Sequence, residues 1–593
     1  MNTGRRRKHW GWGWEDQQPD RAAREAMVPQ VRERLGIEVD RVEEPAAAAD
    51  IPLAPPRLRP PDSPELPITD ERHERLSHAM GKAYRDVVRG FRGIYERTPD
   101  LVAFPAGEDD LRRVLDWCQE RRLAVIPYGG GSSVVGGVEP RVGHGYRGTV
   151  TIDLSQLDRV LEVDETSMAA RIQGGASGPG LERQLGERGL TLRHFPQSFE
   201  FSTLGGWIAT RAGGHFATLH THIDDLVESV RALTPAGVWE SRRLPGSGAG
   251  PSPDRMLIGS EGILGLITEA WVRVRPRPTH KLSCGVEFDD FRQGAEAVRA
   301  LSQSGLHPSN CRLLDPLEVL TTGAGDGSAA LLILGFESAF APVDHLLTQA
   351  LECATDHGGR PGEIRGTESG SGGRSGEGPD DTQVARPQAP SAGNPRSPAR
   401  TSPGPSPDRP SSSTGQAASP GAVDAWRQAF LAAPYLRDSL VSLGVLSETF
   451  ETAITWDRFG ELHGVVTESA RRAVADVIDA PVTGPGSPRI SCRFTHVYPD
   501  GPAPYFTILA PARRGSELAQ WDEIKAAVSE ALVSAGGTIT HHHAVGRDHR
   551  PWYDLQRPDP FAAALAAAKA AVDPAGLLNP GVLIDPVPED PLR

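Results

Sequence analysis

Short apolar runs alternate with amphipathic helical patterns from Thr98 onward. The run LVAF predicts a strand, DDLRRVLDWCQERR predicts a helix, and LAVIPY predicts a buried strand, which together form the repeat of an α/β unit. After Pro278, the runs CGVEF, AALLILGF and RISCRFTHVY predict further strands that alternate with helices. The pattern therefore predicts two successive folded units, residues 94–278 and 279–535, that both mix helices and strands.

Regions without this pattern flank and interrupt the two units. Residues 1–93 are rich in Arg, Glu and Pro, which predicts an arm with helices rather than a domain. Residues 358–421 hold almost no apolar side chain. Because burial cannot offset the entropy of ordering such a segment, we predict a disordered insertion there.

Composition narrows the choice of partners. The 593 residues carry a formal net charge of -14, which argues against nucleic acid because such binding needs a basic surface. The five cysteines are odd in number, scattered and without a CxxC pair, and no signal peptide precedes them, so we expect a reducing cytoplasm. No apolar run approaches the roughly 20 residues that a membrane-spanning helix needs.

The chain opens with a basic, Trp-rich stretch, GRRRKHWGWGW. Residues 5–8, with three tryptophans nearby, would suit a peripheral contact with an anionic membrane surface. The favoured alternative is an ordinary solvated tail that is packed by its Trp residues.

A glycine-rich loop follows the buried strand in VIPYGGGSSVVGG. Successive small residues let several backbone N–H groups turn inward and form a nest for a pyrophosphate, so a dinucleotide is the expected ligand. The sequence is neither a GxGxxG turn nor a P-loop, because no helix with a Lys follows it. Taken alone, the loop is equally compatible with a flexible hairpin turn.

Three consecutive histidines, His541, His542 and His543, lie between a Gly-Gly turn and the segment AVGRDHRPWY. On an extended run, His541 and His543 would point one way and His542 the other. Paired imidazoles suit proton transfer, anion binding when protonated, or metal binding when neutral. The alternative is a solvated polar loop, which three histidines in a row make the weaker interpretation.

Several longer segments, in this order, carry a family resemblance: KHWGWGW, HFPQSFEFSTLGGWIATRAGG, IDDLVESVRALTPAGVW, MLIGSEGILGLITEAWVRVRP, THHHAVG and DPAGLLNPGVL. They resemble the alkyldihydroxyacetonephosphate synthases, flavoproteins of the vanillyl-alcohol-oxidase and p-cresol-methylhydroxylase superfamily. The resemblance implies an α+β fold with a two-lobed FAD-binding domain, an α+β substrate (cap) domain, and a C-terminal segment, residues 536–593, that returns to the FAD domain. The high Ala, Arg, Gly and Pro content suggests a bacterial member.

The resemblance also implies which residues hold FAD. The pyrophosphate would lie on PYGGGSS, with QSFEFST and TRAG beside the isoalloxazine and ribityl parts, and EGILGLI would supply backbone contacts. Since PYGGGSS contains no His that could be linked to the flavin, we expect noncovalent FAD. The implied cofactor-binding residues are Pro127, Tyr128, Gly129, Gly130, Gly131, Ser132, Ser133, Gln197, Ser198, Phe199, Glu200, Phe201, Ser202, Thr203, Thr210, Arg211, Ala212, Gly213, Glu261, Gly262, Ile263, Leu264, Gly265, Leu266 and Ile267.

Matching motifs imply the catalytic residues. NCRLLDPLE resembles a segment with an arginine important for activity, here Arg312, and CRFTHVYPDGPAPYF resembles a strand pair with a substrate-binding arginine and an acid/base tyrosine, here Arg493 and Tyr505. Arg493 can form a fork of hydrogen bonds to a phosphate or carboxylate. The alternatives are a structural ion pair of Arg312 with Asp315 and simple strand burial of Tyr505.

The reaction that the resemblance implies replaces the acyl group of 1-acyl-dihydroxyacetone phosphate by a long-chain alcohol through a flavin N5 adduct, without net redox change. Tyr505, Arg312 and His541 to His543 would supply the base, the proton donor and the anion binders, and the sequence leaves open which histidine is the base. The expected substrate is thus a small or lipid-derived molecule. We further expect a homodimer.

The chain also departs from the family. The segment GGHFATLHTHIDDL carries His215, His220 and His222 where eukaryotic members have a more basic, amide-bearing stretch. The alternative function is an FAD-dependent 2-hydroxy acid dehydrogenase or oxidase. Those enzymes carry His and Glu metal ligands, whereas THHHA has His542 where that Glu would stand, so we expect no metal. Zinc bound by His496, His542 and His543 is the weaker alternative.

Overall fold

The computed structural model describes residues 5–63, 65–367, 421–484 and 487–585. Its helices and strands form two sheet-based lobes, a large cap sheet covered by helices, and chain ends that lie against them. The predicted α+β class is therefore confirmed. Within the described residues, no helix is long and apolar enough to cross a bilayer.

The N-terminal arm is a chain of short helices rather than a separate layer. A 3-10 turn at Glu15–Gln17 is followed by α1 Arg21–Glu25, α2 Val28–Gln30, a π-helical turn Val31–Leu35, β1 Ile68–Thr69, α3 Arg72–Ser77 and α4 Tyr84–Arg92. Its tryptophans are packed: Trp10 and Trp12 are buried, and Trp10 makes an edge-on contact with Phe91 at 5.3 Å. Lys8 is also buried and pairs with Asp438 at 2.5 Å.

This packing bears on the expected membrane contact. The structure agrees with the part of the favoured alternative that has the tail packed by its Trp residues. The tail is not solvated, however, because Trp10 buries its indole against α4. Arg5 is paired with Asp16 at 2.6 Å, so the basic stretch is engaged within the molecule.

The first lobe is a four-stranded sheet in the order β1-β2-β4-β3. Its elements are β2 Leu101–Ala103, α5 Glu108–Arg121, β3 Leu123–Tyr128 and β4 Gly148–Asp153. The strand, helix and strand predicted from LVAF, DDLRRVLDWCQERR and LAVIPY are confirmed. Because β2 and β3 both run parallel to β4, the loop after Tyr128 leaves the sheet at its carboxyl edge, where ligands of α/β units bind.

The second lobe is a five-stranded antiparallel sheet in the order β5-β6-β10-β8-β9. A buried cluster that includes Trp207, Ile263 and Leu264 lies beneath it. The elements are β5 Val160–Asp164, β6 Ala169–Gln173, α6 Gly178–Gly186, β7 Leu190–Thr191, α7 Leu204–Thr210, a 3-10 turn Ile223–Asp225, β8 Val227–Thr234, β9 Gly237–Glu240, α8 Pro253–Leu257, β10 Leu266–Arg273 and β11 Arg275–Pro276.

The cap is a seven-stranded antiparallel sheet in the order β15-β12-β14-β13-β17-β18-β16. Its elements are β12 His280–Phe288, α9 Phe291–Gln303, β13 Asn310–Leu314, α10 Pro316–Thr322, β14 Ala330–Ser338, α11 Asp344–Asp356, β15 Arg360–Thr367, α12 Ala422–Ser442, β16 Val445–Glu451, α13 Trp456–Ile478, β17 Arg489–Val497, β18 Pro502–Pro511 and α14 Glu517–Ser534. The strands predicted from CGVEF, AALLILGF and RISCRFTHVY are confirmed.

The predicted insertion begins too early. Residues 360–367 form the edge strand β15, which pairs with β12. Main-chain hydrogen bonds order this polar segment without the apolar burial that the prediction required. Residues 368–420 of the predicted insertion lie outside the described residues.

The C-terminal residues return to the first lobe. After α15 Arg550–Gln556 and α16 Asp559–Val572, Leu578 bridges Val125 of β3 in parallel, and the N–H of Val125 donates to Leu577 O at 2.8 Å. Asn579 then lies beside the glycine loop, where its side-chain amide donates to Gly137 O at 3.1 Å and to Glu261 O at 2.8 Å. The turn that carries Asn579 therefore holds the loop after β3 in place.

Candidate active site

A cavity of about 440 Å³ lies where the two lobes meet the cap. Its wall includes most of the residues predicted from the sequence: Pro127, Tyr128, Gly129, Gly130, Gly131, Ser132, Ser133, Gln197, Ser198, Ser202, Thr203, Thr210, Ala212, Gly213, Glu261, Gly262, Gly265, Leu266, Ile267, Arg312, Arg493, Tyr505, His542 and His543. These positions come from seven separate stretches of the chain: 127–133, 197–203, 210–213, 261–267, 312, 493–505 and 542–543. The fold thus gathers one site from motifs that are far apart in sequence.

Seven of the predicted residues lie off the wall. Ile263 and Leu264 are fully buried in the core of the second lobe, Glu200 accepts a hydrogen bond from Tyr435, and Arg211 is paired with Asp224 at 2.8 Å. The remaining three are Phe199, Phe201 and His541. Aromatic packing holds Phe201 against Trp14 with ring centroids 5.6 Å apart.

The loop after β3 has the properties of an anion nest. Within the described part of the chain, none of the backbone N–H groups of residues 129–134 donates to a protein acceptor. A side chain at Gly130 would overlap the Phe201 carbonyl oxygen, and Gly131 has φ +66°, so only glycine fits both positions. Six consecutive unsatisfied donors beside a cavity fit the oxygens of a pyrophosphate.

Two buried arginines line the cap side of the cavity. Arg493 pairs with Glu318 and lies over the ring of Tyr505, 4.0 Å from its centroid, since Arg493 and Tyr505 are direct cross-strand neighbours on β17 and β18. Arg312 donates to His215 O at 3.1 Å and stacks against Trp426 and Phe430. Within the described residues, the Nε atoms of both arginines are buried and have no partner.

The alternative that Arg312 forms an ion pair with Asp315 is wrong. The Asp315 carboxylate instead accepts the N–H of Glu318 at 2.7 Å, which caps α10, and the N–H of Cys492 at 2.6 Å. Burial, and then the nearby charge of Arg493, lower the pKa of Arg312 to about 9. An anion bound between the two arginines would relieve this unfavourable proximity.

The triple histidine wraps around a buried carboxylate, that of Glu451 on β16. The N–H of His541 donates to Glu451 Oε2 at 2.6 Å, the N–H of His543 donates to Oε1 at 3.0 Å, and the hydroxyl of Thr540 donates to Oε1 at 2.6 Å. The predicted alternation of an extended strand is therefore wrong, because converging N–H groups require a curved backbone. His542 and His543 both face the cavity, and His541 points away from it to the hydroxyl of Tyr498.

The electrostatics of this cluster favour neutral imidazoles. Burial lowers the pKa of His542 to about 3 and depresses the pKa of His541 and His543 as well. Although burial opposes its ionisation, the imidazoles and the hydrogen bonds from Thr540 and the backbone hold the pKa of Glu451 below its usual range. The cluster is thus suited to accepting and passing protons, and not to holding an anion by standing positive charge.

One histidine of the GGHFATLHTH segment, His222, contacts this cluster, and a second, His215, lies at Arg312. The ring centroids of His222 and His541 lie 4.6 Å apart. Ring nitrogens of His496, His541 and His542 lie within 4.8 Å of one another. His543, which the weaker zinc alternative required, is not a member of that group.

Sequence reasoning missed Glu451, Glu318, Tyr498 and Asn579. Glu451 and Glu318 lie in ordinary strand and helix patterns, and only the pairing of β16 with β18 and of α10 with β17 brings them to the site. A signal existed for Asn579, since LLNPG follows a helix and ends with turn residues. No local pattern distinguishes the two glutamates.

The nest at the end of β3, the two lobes and the cap are those of an FAD-linked enzyme. A model of the FAD binding domain matches residues 99–241, and a model of the C-terminal domain of FAD linked oxidases matches residues 277–366 and 412–583. The structure resembles p-cresol methylhydroxylase with a TM-score of 0.61 at 15% identity, covering 88% of this chain and 94% of that one.

More specific relatives are alkyldihydroxyacetonephosphate synthases. The Dictyostelium discoideum enzyme is 30% identical over 550 residues, which cover 88% of this chain and 79% of the relative. The Trypanosoma brucei brucei enzyme is 28% identical, covering 91% and 83%. A solved alkyldihydroxyacetonephosphate synthase has a TM-score of 0.71 at 24% identity, covering 96% of this chain and 98% of that one. The chain belongs to the alkyldihydroxyacetonephosphate synthase family.

Proposed function

We propose that the protein exchanges the acyl group of a 1-acyl-dihydroxyacetone phosphate for a long-chain alcohol and so forms an ether bond. Family membership supports this reaction class. The observation that carries it is the pair of buried arginines, Arg312 and Arg493, which line the same cavity as Tyr505, His542 and His543. Since the carboxylate of Glu318 offsets only one of the two charges, the buried guanidinium groups keep a net positive charge that suits a phosphate.

An apolar wall supports a lipid-derived substrate. Near the arginines, the cavity is lined by side chains from the N-terminal arm and from α12: Met27, Val31, Leu35, Phe430, Leu436 and Leu440. A long alkyl chain gains about 0.8 kcal/mol for each methylene that it buries against such a surface. A phosphate site beside an apolar wall matches a substrate with an anionic head and a fatty chain better than it matches a small hydroxy acid.

FAD fits the residues of the first two lobes, and when bound it supplies an electrophile that holds the reacting carbon during the exchange. The backbone N–H groups of residues 129–134 would hold its pyrophosphate, and Glu261 and Asn579 would support the loop from behind. We propose that the binding is noncovalent. The absence of His from PYGGGSS supports this.

The chain's own residues would then handle protons and charge. A neutral imidazole on the cavity wall removes a proton from the carbon that bears the ester, and the ester C–O bond breaks to release a carboxylate. The alcohol oxygen then bonds to that carbon, loses its proton, and a proton returns to the carbon. The sum is acyl substrate plus alcohol giving alkyl product, a carboxylate and one proton, with no net oxidation.

Incubation with 1-palmitoyl-dihydroxyacetone phosphate and labelled hexadecanol tests the proposal. We expect labelled ether product and free palmitate in equal amounts, without oxygen consumption. A glycolate oxidase subunit of Bacillus subtilis, 24% identical over 82% of this chain, represents the alternative oxidoreductase function. Bleaching of the flavin under anaerobic conditions by D-lactate or glycolate, without ether formation, would overturn the proposal.

We also propose a cytoplasmic enzyme that meets its lipid substrate at a membrane surface and forms a homodimer. Leu436 supports the membrane contact, because it lines the apolar part of the cavity and its surface is 44% exposed. Co-sedimentation with phosphatidylglycerol vesicles and light scattering of the purified protein test these two points separately.

A further inference from the structure

A row of hydrogen-bonded side chains leads from the cavity wall towards the protein surface. His542 lines the cavity, and its Nδ1 lies 3.1 Å from Nδ1 of His541. Nε2 of His541 lies 2.8 Å from the hydroxyl of Tyr498, which in turn lies 3.4 Å from Nδ1 of His222. His222 is half-buried and follows the loop that carries the exposed Leu219.

One set of tautomers satisfies every link of this row. Nδ1–H of His542 donates to His541, Nε2–H of His541 donates to Tyr498, and the Tyr498 hydroxyl donates to Nδ1 of His222. Nε2–H of His222 then donates to the carbonyl oxygen of His541 at 3.1 Å. In this arrangement Nε2 of His542 is an acceptor and is the only nitrogen of that ring left for a substrate proton.

We propose that His542, His541, Tyr498 and His222 form a proton relay that connects the reacting carbon with solvent. This inference rests on the proposed acyl-for-alkyl exchange. A proton accepted at Nε2 of His542 moves one proton along each link and leaves the surplus proton on His222, which releases it to water. The return of a proton to the carbon uses the same row in the opposite direction.

The proposed steps at the carbon need such a path. The carbon loses one proton and later regains one, and the proton of the alcohol leaves with the carboxylate, so in each turnover the row carries one proton outwards and one inwards and returns to its starting tautomers. Within the cavity, a proton held by a buried imidazole would otherwise block the next turnover, since burial disfavours the charged ring. A relay to a half-buried histidine removes that block.

The buried carboxylate of Glu451 makes the relay feasible. It lies 3.4 Å from Nδ1 of His542 and accepts the N–H of His541 at 2.6 Å. A transient imidazolium at either position would therefore have a negative neighbour within the protein, where Coulomb interactions are stronger than in water. Glu451 would act as a positioning residue and would not exchange a proton with substrate.

Tyr498 is held in place by groups other than the relay. Its backbone pairs with Gly501, its carbonyl oxygen accepts the indole N–H of Trp456 at 3.0 Å, and its hydroxyl also contacts Thr221 at 3.1 Å. Tyr498→Phe therefore removes one hydroxyl and leaves the ring supported. His220 offers a matched control, because it lies two residues from His222 and has no hydrogen-bonded place in the relay. Its φ of +53° is one that Asn tolerates.

The test uses the FAD-loaded protein and acyl-dihydroxyacetone phosphate with two deuterium atoms on the carbon that bears the ester. We expect the natural protein to give ether product with one deuterium replaced by hydrogen, because the relay exchanges the abstracted proton with water. Tyr498→Phe and His222→Gln should give product that retains both deuterium atoms, at a rate lowered about tenfold or more. Added imidazole should restore both the rate and the exchange, and His220→Asn should match the natural protein.

The outcomes that contradict the relay differ from the outcome that contradicts the proposed function. Ether product from Tyr498→Phe in which one deuterium is replaced by hydrogen, as in the natural protein, overturns the relay. A lower rate that imidazole does not restore, with one deuterium still exchanged, overturns it as well. Failure of the natural protein to form any ether product would instead overturn the proposed function. Flavin absorbance of each variant at natural intensity shows that the comparison is made between folded holoenzymes.

Discussion

At the scale of single residues, two buried glutamates that lie outside the sequence motifs supply the negative charges of this site. Glu318 neutralises Arg493, and Glu451 organises the triple histidine. The sequence could identify Arg312, Arg493 and Tyr505 as candidates because their motifs are local. It could not identify their acidic partners, because a glutamate in an amphipathic helix or strand is usually solvated.

Arg312→Met tests the phosphate site. Methionine keeps an apolar side chain of similar length beside Trp426 and Phe430 but removes the charged guanidinium group that lies against their rings. We expect KM for the acyl substrate to rise about 10- to 100-fold, the cost of one charge-assisted hydrogen bond, with FAD absorbance unchanged. The exposed Arg299→Met on α9 is the control. Equal KM values for Arg312→Met and Arg299→Met would show that Arg312 does not bind the substrate.

Glu451→Gln tests the carboxylate under the histidines. The amide group would turn donors towards backbone N–H groups that now donate to Glu451. We expect the free energy of unfolding to fall by about 1–3 kcal/mol, measured by urea denaturation. Glu461→Gln, on the exposed face of α13, should leave it unchanged. If the free energy of unfolding of Glu451→Gln equalled that of the natural protein, these hydrogen bonds would contribute nothing to stability.

At the scale of elements, strand and helix patterns from the sequence were sufficient for most of the framework. The strands of the cap follow apolar runs, and α5 follows its amphipathic pattern. Two features were not predictable locally. The edge strand β15 is ordered by pairing with β12, and residues 541–543 curve around Glu451 instead of alternating, so in both cases a distant partner overrides the local pattern.

Gly130→Ala tests the glycine loop as an element. A Cβ at this position would overlap the Phe201 carbonyl, so the loop would have to move and its N–H groups would no longer converge. We expect purified Gly130→Ala to lack the flavin absorbance near 450 nm, measured against protein concentration. Gly107→Ala is the control, because no atom lies within 4 Å of its added carbon. If purified Gly130→Ala showed the flavin absorbance of the natural protein, the loop would not be the pyrophosphate-binding nest.

At the scale of the whole molecule, the buried histidines make stability depend on pH. Burial lowers the folded-state pKa of many of them, so below the ordinary histidine pKa near 6.5 the unfolded chain binds more protons than the folded chain. The group comprises His9, His73, His194, His215, His220, His463, His496, His541, His542, His543 and His549. Folding therefore becomes less favourable as pH falls through about 6.5.

Six buried acids act in the opposite sense. Burial raises the pKa of Asp86, Glu261 and Asp315 to about 7, so they favour folding at acidic pH and lose that contribution as pH rises through 7. Burial also raises the pKa of Glu182, Asp438 and Asp548. Because the histidines outnumber them, we expect Tm to rise between pH 5 and pH 6.5, as measured by calorimetry. A Tm that falls over this interval would show that the acids dominate.

Both ends of the chain meet at the glycine loop. Arg7 donates to Gly130 O at 3.1 Å, and the Asn579 side chain donates to Gly137 O. The loop is complete only when residues at positions 7 and 579 are both in place. A nascent chain in which Asn579 has not yet been made therefore lacks a finished cofactor site, so flavin uptake follows the synthesis of both lobes and the cap.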